Sequence, residues 1–145
     1  MKRARTWQTG FTLTEVLVSM LVAGIMIVGL ISSFIQSHRQ AEWSAYSLAA
    51  QSLAMQSLEQ ARTAKWDPYA TPPVDQLVAS NFPVRVEVLD IPISKTNIVF
   101  ATNRTTIQTI SATPPLKQIS VQSTWGFLNR GVFTNSVVTY RAPDQ

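Results

Sequence analysis

The stretch GFTLTEVLVSMLVAGIMIVGLISSFI, residues 10–35, contains a single charge, Glu15. Leu, Val, Ile and Met dominate it, and Val16 to Ile35 carries no charge at all. About 20 such residues span a hydrocarbon core, so the stretch predicts a transmembrane helix. A carboxylate inside a membrane-length segment costs roughly 2.5 kcal/mol or more on insertion scales, which marks Glu15 as functional and in need of a partner.

Toward the N-terminus lies a short basic head, Lys2, Arg3 and Arg5, followed by polar Gln8-Thr9-Gly10. The head holds three of the twelve Lys and Arg residues; from Phe11 onward nine basic residues face eight acidic ones, close to neutrality despite a sequence pI near 9.9. A nucleic-acid footprint needs clustered Lys and Arg, whereas Arg85, Lys95, Arg104, Lys117, Arg130 and Arg141 are scattered, so no nucleic-acid partner is expected. The basic head reads instead as a topology signal. It keeps the N-terminus cytoplasmic and places the chain after Ile35 outside. Cysteine is absent, which excludes a disulfide framework, thiolate metal sites and a lipid-attached cysteine anchor.

A secretory signal has 7 to 15 apolar residues and then a small-residue cleavage site. This run is longer, and Gln36-Ser37-His38-Arg39-Gln40 offers no A-x-A pattern. A plain signal anchor fits the hydropathy, but it explains neither Glu15 nor the abrupt step from Gln8-Thr9-Gly10 to Phe11.

Gly10-Phe11-Thr12-Leu13-Thr14-Glu15, followed by Val16-Leu17-Val18, resembles the N-terminal signature of type IV prepilins and type II secretion pseudopilins. The shared pattern is a basic leader ending in Gly, an aromatic first mature residue, a Glu four positions later and a long apolar helix. It covers roughly the first 35 residues; the rest resembles the family in organisation. The resemblance implies cleavage between Gly10 and Phe11 by a membrane-embedded prepilin peptidase, and methylation of the new Phe11 amine by the same enzyme. Glycine suits the scissile position because it presents no side chain to a protease approaching the backbone. Glu15 then gains a partner, the α-amino group of Phe11 in a neighbouring subunit, and the pairing spares both charges isolation in a low dielectric. The implied partners are prepilin peptidase, other pilin or pseudopilin subunits, the inner-membrane assembly platform and membrane lipid.

After the span the pattern stays helical. Gln36 to Lys65 contains no Gly or Pro, with Ala45, Leu48 and Met55 at helical spacing and Ala49 and Leu53 widening the face. Asp67-Pro68 marks the stop, since a residue before proline avoids the α region. Gly24 and Gly29 interrupt the apolar helix and suit close helix packing. Ser32 and its neighbours stand where many pilins carry a mid-span proline, which leaves a kink there open.

Pro72-Pro73 reads as a linker and Val74 to Asn81 as a short helical turn. Val84, Val86 and Val88 alternate with Arg85 and Glu87 as a half-buried strand, and Ile98 to Phe100 and Thr106 to Ser111 are weaker strands. Pro114-Pro115 is a break. Ile119, Val121 and Trp125 share one strand face against Gln118, Ser120 and Gln122; Val132 to Tyr140 returns as a second strand after a turn at Asn129-Arg130-Gly131. The expected fold is α+β: a long helix on a small antiparallel sheet. The expected division is a leader (1–10), a transmembrane and assembly helix (11–35), its periplasmic continuation (36–67) and a β-rich domain (68–145).

No catalytic, cofactor or metal site is expected. His38 is the only histidine and borders the membrane, and Asp67, Asp75 and Asp90 are dispersed without a calcium-loop pattern. Asn103-Arg104-Thr105 fits a glycosylation sequon, a pattern frequent by chance. Trp43 and Tyr46 suit an interfacial belt or packing on the outer domain, and Trp66 suits packing of the helix end on the sheet. The expectation is a non-catalytic assembly subunit, similar to a short minor pseudopilin of a type II secretion system. A minor pilin of a type IV or DNA-uptake pilus shares the same N-terminal chemistry, and an anchored periplasmic binding domain is the reading from another class.

Overall fold

The computed structural model describes residues 10–89, 98–127 and 130–144. The chain divides into two compact units, Met1–Ala41 and Glu42–Gln145. One α-helix, α1 (Leu13–Arg62), contributes its first part to one unit and its last part to the other.

In the first unit every described residue is exposed. α1 is helical without interruption through Gly24, Gly29 and Ser32, and the space beside each glycine is open. The helix is long and apolar enough to cross a membrane, and none of its apolar window is covered by protein. An exposed apolar surface of this extent is suited to contact with lipid or with other protein. His38 stacks on Phe34, with ring centroids 6.5 Å apart.

The second unit is a helix-on-sheet layer. Four strands, β3 (Arg85–Leu89), β4 (Val99–Ala112), β5 (Pro115–Gly126) and β6 (Val132–Arg141), form an antiparallel meander in that order. A separate two-stranded ribbon pairs β1 (Trp66–Asp67) with β2 (Val74–Asp75). The two weak strands expected at 98–100 and 106–111 are one 14-residue strand, because β5 supplies partners along nearly its whole length. Val74–Asp75 is strand, and only Ala79–Asn81 forms a 3-10 turn, so the helical turn expected over Val74 to Asn81 is shorter than its sequence suggests. Residues 113–114 form the β4–β5 turn. Gly131 adopts φ +126° in the β5–β6 connection, a conformation open to glycine, while Asn129 lies outside the described residues.

The helix face that meets the sheet is centred differently from the expected one, although Ala49 and Leu53 of the expected set are partly buried against the core. Tyr46, Ala50, Ala54, Leu58 and Ala61 are buried, while Leu48 is 71% exposed and Met55 43%. Successive steps of four and then three keep the buried set on one face. Its alanines let the helix approach closely, whereas Leu48 would hold it away. The β3 valines are also inverted: Val84, Val86 and Val88 are exposed while Leu89 is buried. Pairing of Arg85 with Asn103 and Glu87 with Ala101 assigns the odd residues to the inner face. There Arg85 Nη1 donates to Gln60 of the helix, and Glu87 accepts from Asn103 Nδ2 at 2.9 Å. β5 follows expectation, with Ile119, Val121 and Trp125 buried.

The helix stops at Arg62, before the expected Lys65, because its end is claimed by β6 and the C-terminal residues. Arg141 Nη1 donates to the carbonyls of Ala61 and Ala64, and Nη2 to Asp144 Oδ1 at 2.7 Å. Asp144 in turn accepts from the Trp66 amide at 2.9 Å and donates its own amide to the Trp66 carbonyl at 2.8 Å. Carbonyls of the last turns that lack an intrahelical donor thus receive a cation, which also suits the negative end of the helix dipole. Lys117 is buried beneath this region. Its ammonium donates to both Asp75 carboxylate oxygens (2.8 and 2.6 Å) and to Leu77 O (2.8 Å), and lies 4.9 Å from the Trp66 ring centre.

Arg141→Met should therefore destabilise the second unit by about 2 kcal/mol, the scale of hydrogen bonds to a charged group. A lower urea midpoint in the micelle-solubilised chain, read by tryptophan fluorescence, would show it. The Trp66 amide, and after it Arg141, hold the Asp144 carboxyl below its usual value of 3.8. A lowered folded pKa means that stability from Asp144 is present above the unfolded value and is lost as pH falls through the folded one. Asp144→Asn should flatten that acid limb of the stability curve.

Candidate processing and assembly site

Gly10 and Phe11 precede the helix and belong to no regular element, and Phe11 is 88% exposed. The helix begins at Leu13 because Thr12 and Glu15 close a capping box, the T-x-x-E arrangement in which each end satisfies the other. Glu15 Oε2 accepts from the Thr12 amide at 2.8 Å and from the Thr12 hydroxyl at 2.8 Å. The weaker return bond runs from the Glu15 amide to Thr12 Oγ1 at 3.4 Å. With the Thr12 proton directed at Glu15, the Thr14 hydroxyl 3.1 Å away is the donor in the remaining contact. Ser19 donates to the Glu15 carbonyl at 2.7 Å. The carboxylate also sits in the first turn, where the helix dipole favours a negative charge.

Glu15 thus has a partner within its own chain. The resemblance implies only an external one, although Thr12-Leu13-Thr14-Glu15 ahead of an apolar run is a legible capping signal. The box fixes where the helix starts, and the Gly10–Phe11 peptide is left outside it with both residues exposed.

The remaining candidates resolve into structural roles. Trp43 packs on Trp125 and Phe133, with centroids 6.3 and 5.9 Å away, and Tyr46 packs on Trp125 and Phe127 at 5.9 and 5.7 Å. Trp66 is buried with Leu58, Ala61, Ile119 and Val121 at the helix end. Asp67 caps a turn by accepting from the amides of Tyr69 and Ala70, and Asp75 holds Lys117, while Asp90 lies outside the described residues. Asn103 of the sequon is buried within β4, which removes it as a glycosylation acceptor in the folded chain. Among the described residues no three His, Cys, Asp or Glu side chains come together as a metal site. A shallow groove on the outer sheet face is lined by Thr106, Gln108, Gln118, Ser120 and Gln122, neutral groups with no acid or base among them.

Residues 8–31 match the family model described as the prokaryotic N-terminal methylation motif. The match supports a type IV pilin or pseudopilin-like class, whose members are in general structural, and the motif implies a subunit processed by prepilin peptidase that assembles with pilin-type subunits. No curated protein and no solved structure matches the chain.

Thr12→Val removes the hydroxyl bonds of the box while keeping size and branching. It should cost the first turn about 1 kcal/mol, a typical capping loss, and so speed amide exchange at Thr14 and Glu15 roughly fivefold. Exchange measured by NMR in micelles checks this; unchanged rates would show that the box does not hold the helix start.

Proposed function

We propose that this chain is a non-catalytic minor pseudopilin-like subunit of a type II secretion system. Cleavage between Gly10 and Phe11 removes residues 1–10, and the new Phe11 amine is methylated. Residues 11–35 then pack into the core of the filament. Residues 36–67 continue the helix on the periplasmic side, and the β-rich domain of 68–145 meets neighbours or cargo. Glu15 guides entry by pairing with the Phe11 amine of an adjacent subunit. The observation that carries this reading is the Thr12–Glu15 box at the head of an uncovered apolar helix, directly after the exposed Gly10–Phe11 peptide. A head-to-tail contact that does not close generates a helical filament, which suits a subunit whose helix is uncovered over its apolar N-terminal part.

Intact mass of the chain expressed with prepilin peptidase should correspond to residues 11–145 plus one methyl group. Retention of residues 1–10 would leave an anchored periplasmic domain as the correct reading. Loss of secretion on deleting the gene, with pilus-dependent motility and DNA uptake intact, would assign it to the secretion system, and the reverse pattern to a type IV or DNA-uptake pilus.

Glu15→Gln separates the two roles of the carboxylate. Glutamine still caps the helix, because S/T-x-x-Q also closes the box, but it carries no charge. Incorporation into filaments should fall at least about tenfold for both Glu15→Gln and Glu15→Val, since an amine desolvated without its counter-charge is strongly disfavoured, while cleavage continues in both. Normal assembly of Glu15→Gln would reduce Glu15 to a helix cap.

A further inference from the structure

The outer face of the four-stranded sheet changes character along its strands. At the end where β3 stops and β4 starts, Val88 pairs with Phe100; Phe100 stands level with Gly126, which pairs with Val132. Val86 lies in the next row, and Ile98 comes one residue ahead of β4. Ile98, Phe100 and Val132 are 65%, 56% and 73% exposed, and Val86 and Val88 are exposed as well. Gly126 leaves open space in the middle of the row. The next row, completed by Thr102, Thr124 and Thr134, carries no charge either. At the opposite end Val138 and Tyr140 flank a groove of neutral polar side chains, Gln108 and Gln118 among them.

The apolar end is also the end at which the chain enters the unit. Trp43 packs on Phe133 and Ser47 bonds to Asn135, whereas the carbonyls of Ala61 and Ala64 meet Arg141. β6 therefore runs the same way as the helix within this unit, and its first residues lie beside those nearest Glu42. Arg130 is exposed in the connection at this end, and Trp43 keeps 38% of its surface.

We propose that this band is a lipid-contact surface. In the anchored subunit Val88, Ile98, Phe100 and Val132 rest at the headgroup–acyl boundary of the bilayer, and Arg130 donates to lipid phosphate. The proposal rests on residues 11–35 crossing the membrane, and not on which filament the chain joins. Two observations select lipid as the occupant. Only residues 36–41 separate Ile35 from the unit, at most about 20 Å of chain even when fully extended. A bilayer is therefore always within reach of this end, and a tethered contact has a high effective concentration. The band also crosses all four strands at their ends and fades along them, the footprint of a flat surface meeting one end of the sheet. A protein packed on the face would follow the strands instead. Aromatic rings beside an arginine suit this depth, with the rings at the interface and the guanidinium reaching the phosphates. The contact joins no two subunits, so it is compatible with parallel insertion of their helices.

The absence of cysteine allows a spin label at one introduced cysteine at a time, in the full chain held in nanodiscs of phosphatidylethanolamine and phosphatidylglycerol. Oxygen concentrates in lipid, while a charged nickel chelate stays in water. Ile98→Cys and Val132→Cys should therefore show an oxygen-to-nickel collision ratio at least about threefold above that of Gln108→Cys and Gln122→Cys. All four positions are exposed, so a label there leaves the fold intact. Val132→Asp should bring the ratio at Ile98→Cys down to that of Gln108→Cys. Val22→Cys reports on the span. A lipid-like ratio at Val22→Cys, with equal ratios at Ile98→Cys and Gln108→Cys, would overturn this proposal alone; a water-like ratio at Val22→Cys would overturn the span as well. Loss of both oxygen and nickel collisions at Ile98→Cys and Val132→Cys would mean cover by protein and would equally overturn lipid contact.

Discussion

The second unit depends on how closely α1 approaches the sheet. Ala50, Ala54 and Ala61 are fully buried at the contact, and each brings almost no side chain of its own. Much of what fills the interface comes from the sheet side: Ile119, Val121 and Trp125 of β5, and Phe127 just after it. Packing at interior density requires small to face large. A bulkier residue at Ala50 or Ala54 would force the sheet away and open gaps around Trp125, at the cost expected of an overpacked core.

That contact is not uniformly apolar. Asn103 of β4, Ser123 of β5 and Asn135 of β6 stand opposite one another on the inner face and form a polar row across the sheet. The row separates a cluster around Leu58, Trp66 and Ile119 from one around Tyr46, Trp125 and Phe127. Asn135 accepts from the Trp125 indole at 2.9 Å and donates to Ser47 of the helix at 3.0 Å. Asn103 Oδ1 and Ser123 Oγ are buried without a partner among the described residues, which is costly unless repaid. Directional bonds repay it in specificity. A smooth apolar interface would let the helix slide by a turn, whereas Asn135 and Ser47 meet in only one register.

These features show how far the sequence could be read. The membrane-length helix, the α+β layout, the inner face of β5 and the last strand are visible because large apolar residues occur there at a consistent period. The helix face at Ala50 and Ala54 and the orientation of β3 are hidden for the opposite reason. Leu48, Met55 and the three valines are strongly apolar yet exposed, while alanines fill much of the helix face and Arg85 and Glu87 take inner positions on β3. Periodicity weighs hydrophobicity, while the interface selects for size on the helix and for partners on the edge strand. Arg141 and Lys117 were illegible for another reason: their roles depend on carbonyls and carboxylates brought together only by the fold. The Thr12–Glu15 spacing at the N-terminus is, by contrast, a local signal that needs no tertiary contact.

The capping box also changes the energetics of the first unit. A lone carboxylate in an apolar segment would make the unassembled subunit expensive to keep in a membrane. Bonds from the Thr12 amide and hydroxyl lower that cost, and they do so from residues that stay with the chain after a cut at Gly10. A carboxylate accepts through about four lone-pair sites, so two donors from Thr12 leave capacity for an amine from outside. Holding the carboxylate at a fixed place on the first turn removes rotamer freedom that a neighbour would otherwise have to remove on binding. In the proposed assembly, the same bonds that make Glu15 tolerable in one subunit would also preorganise it for the amine of the next.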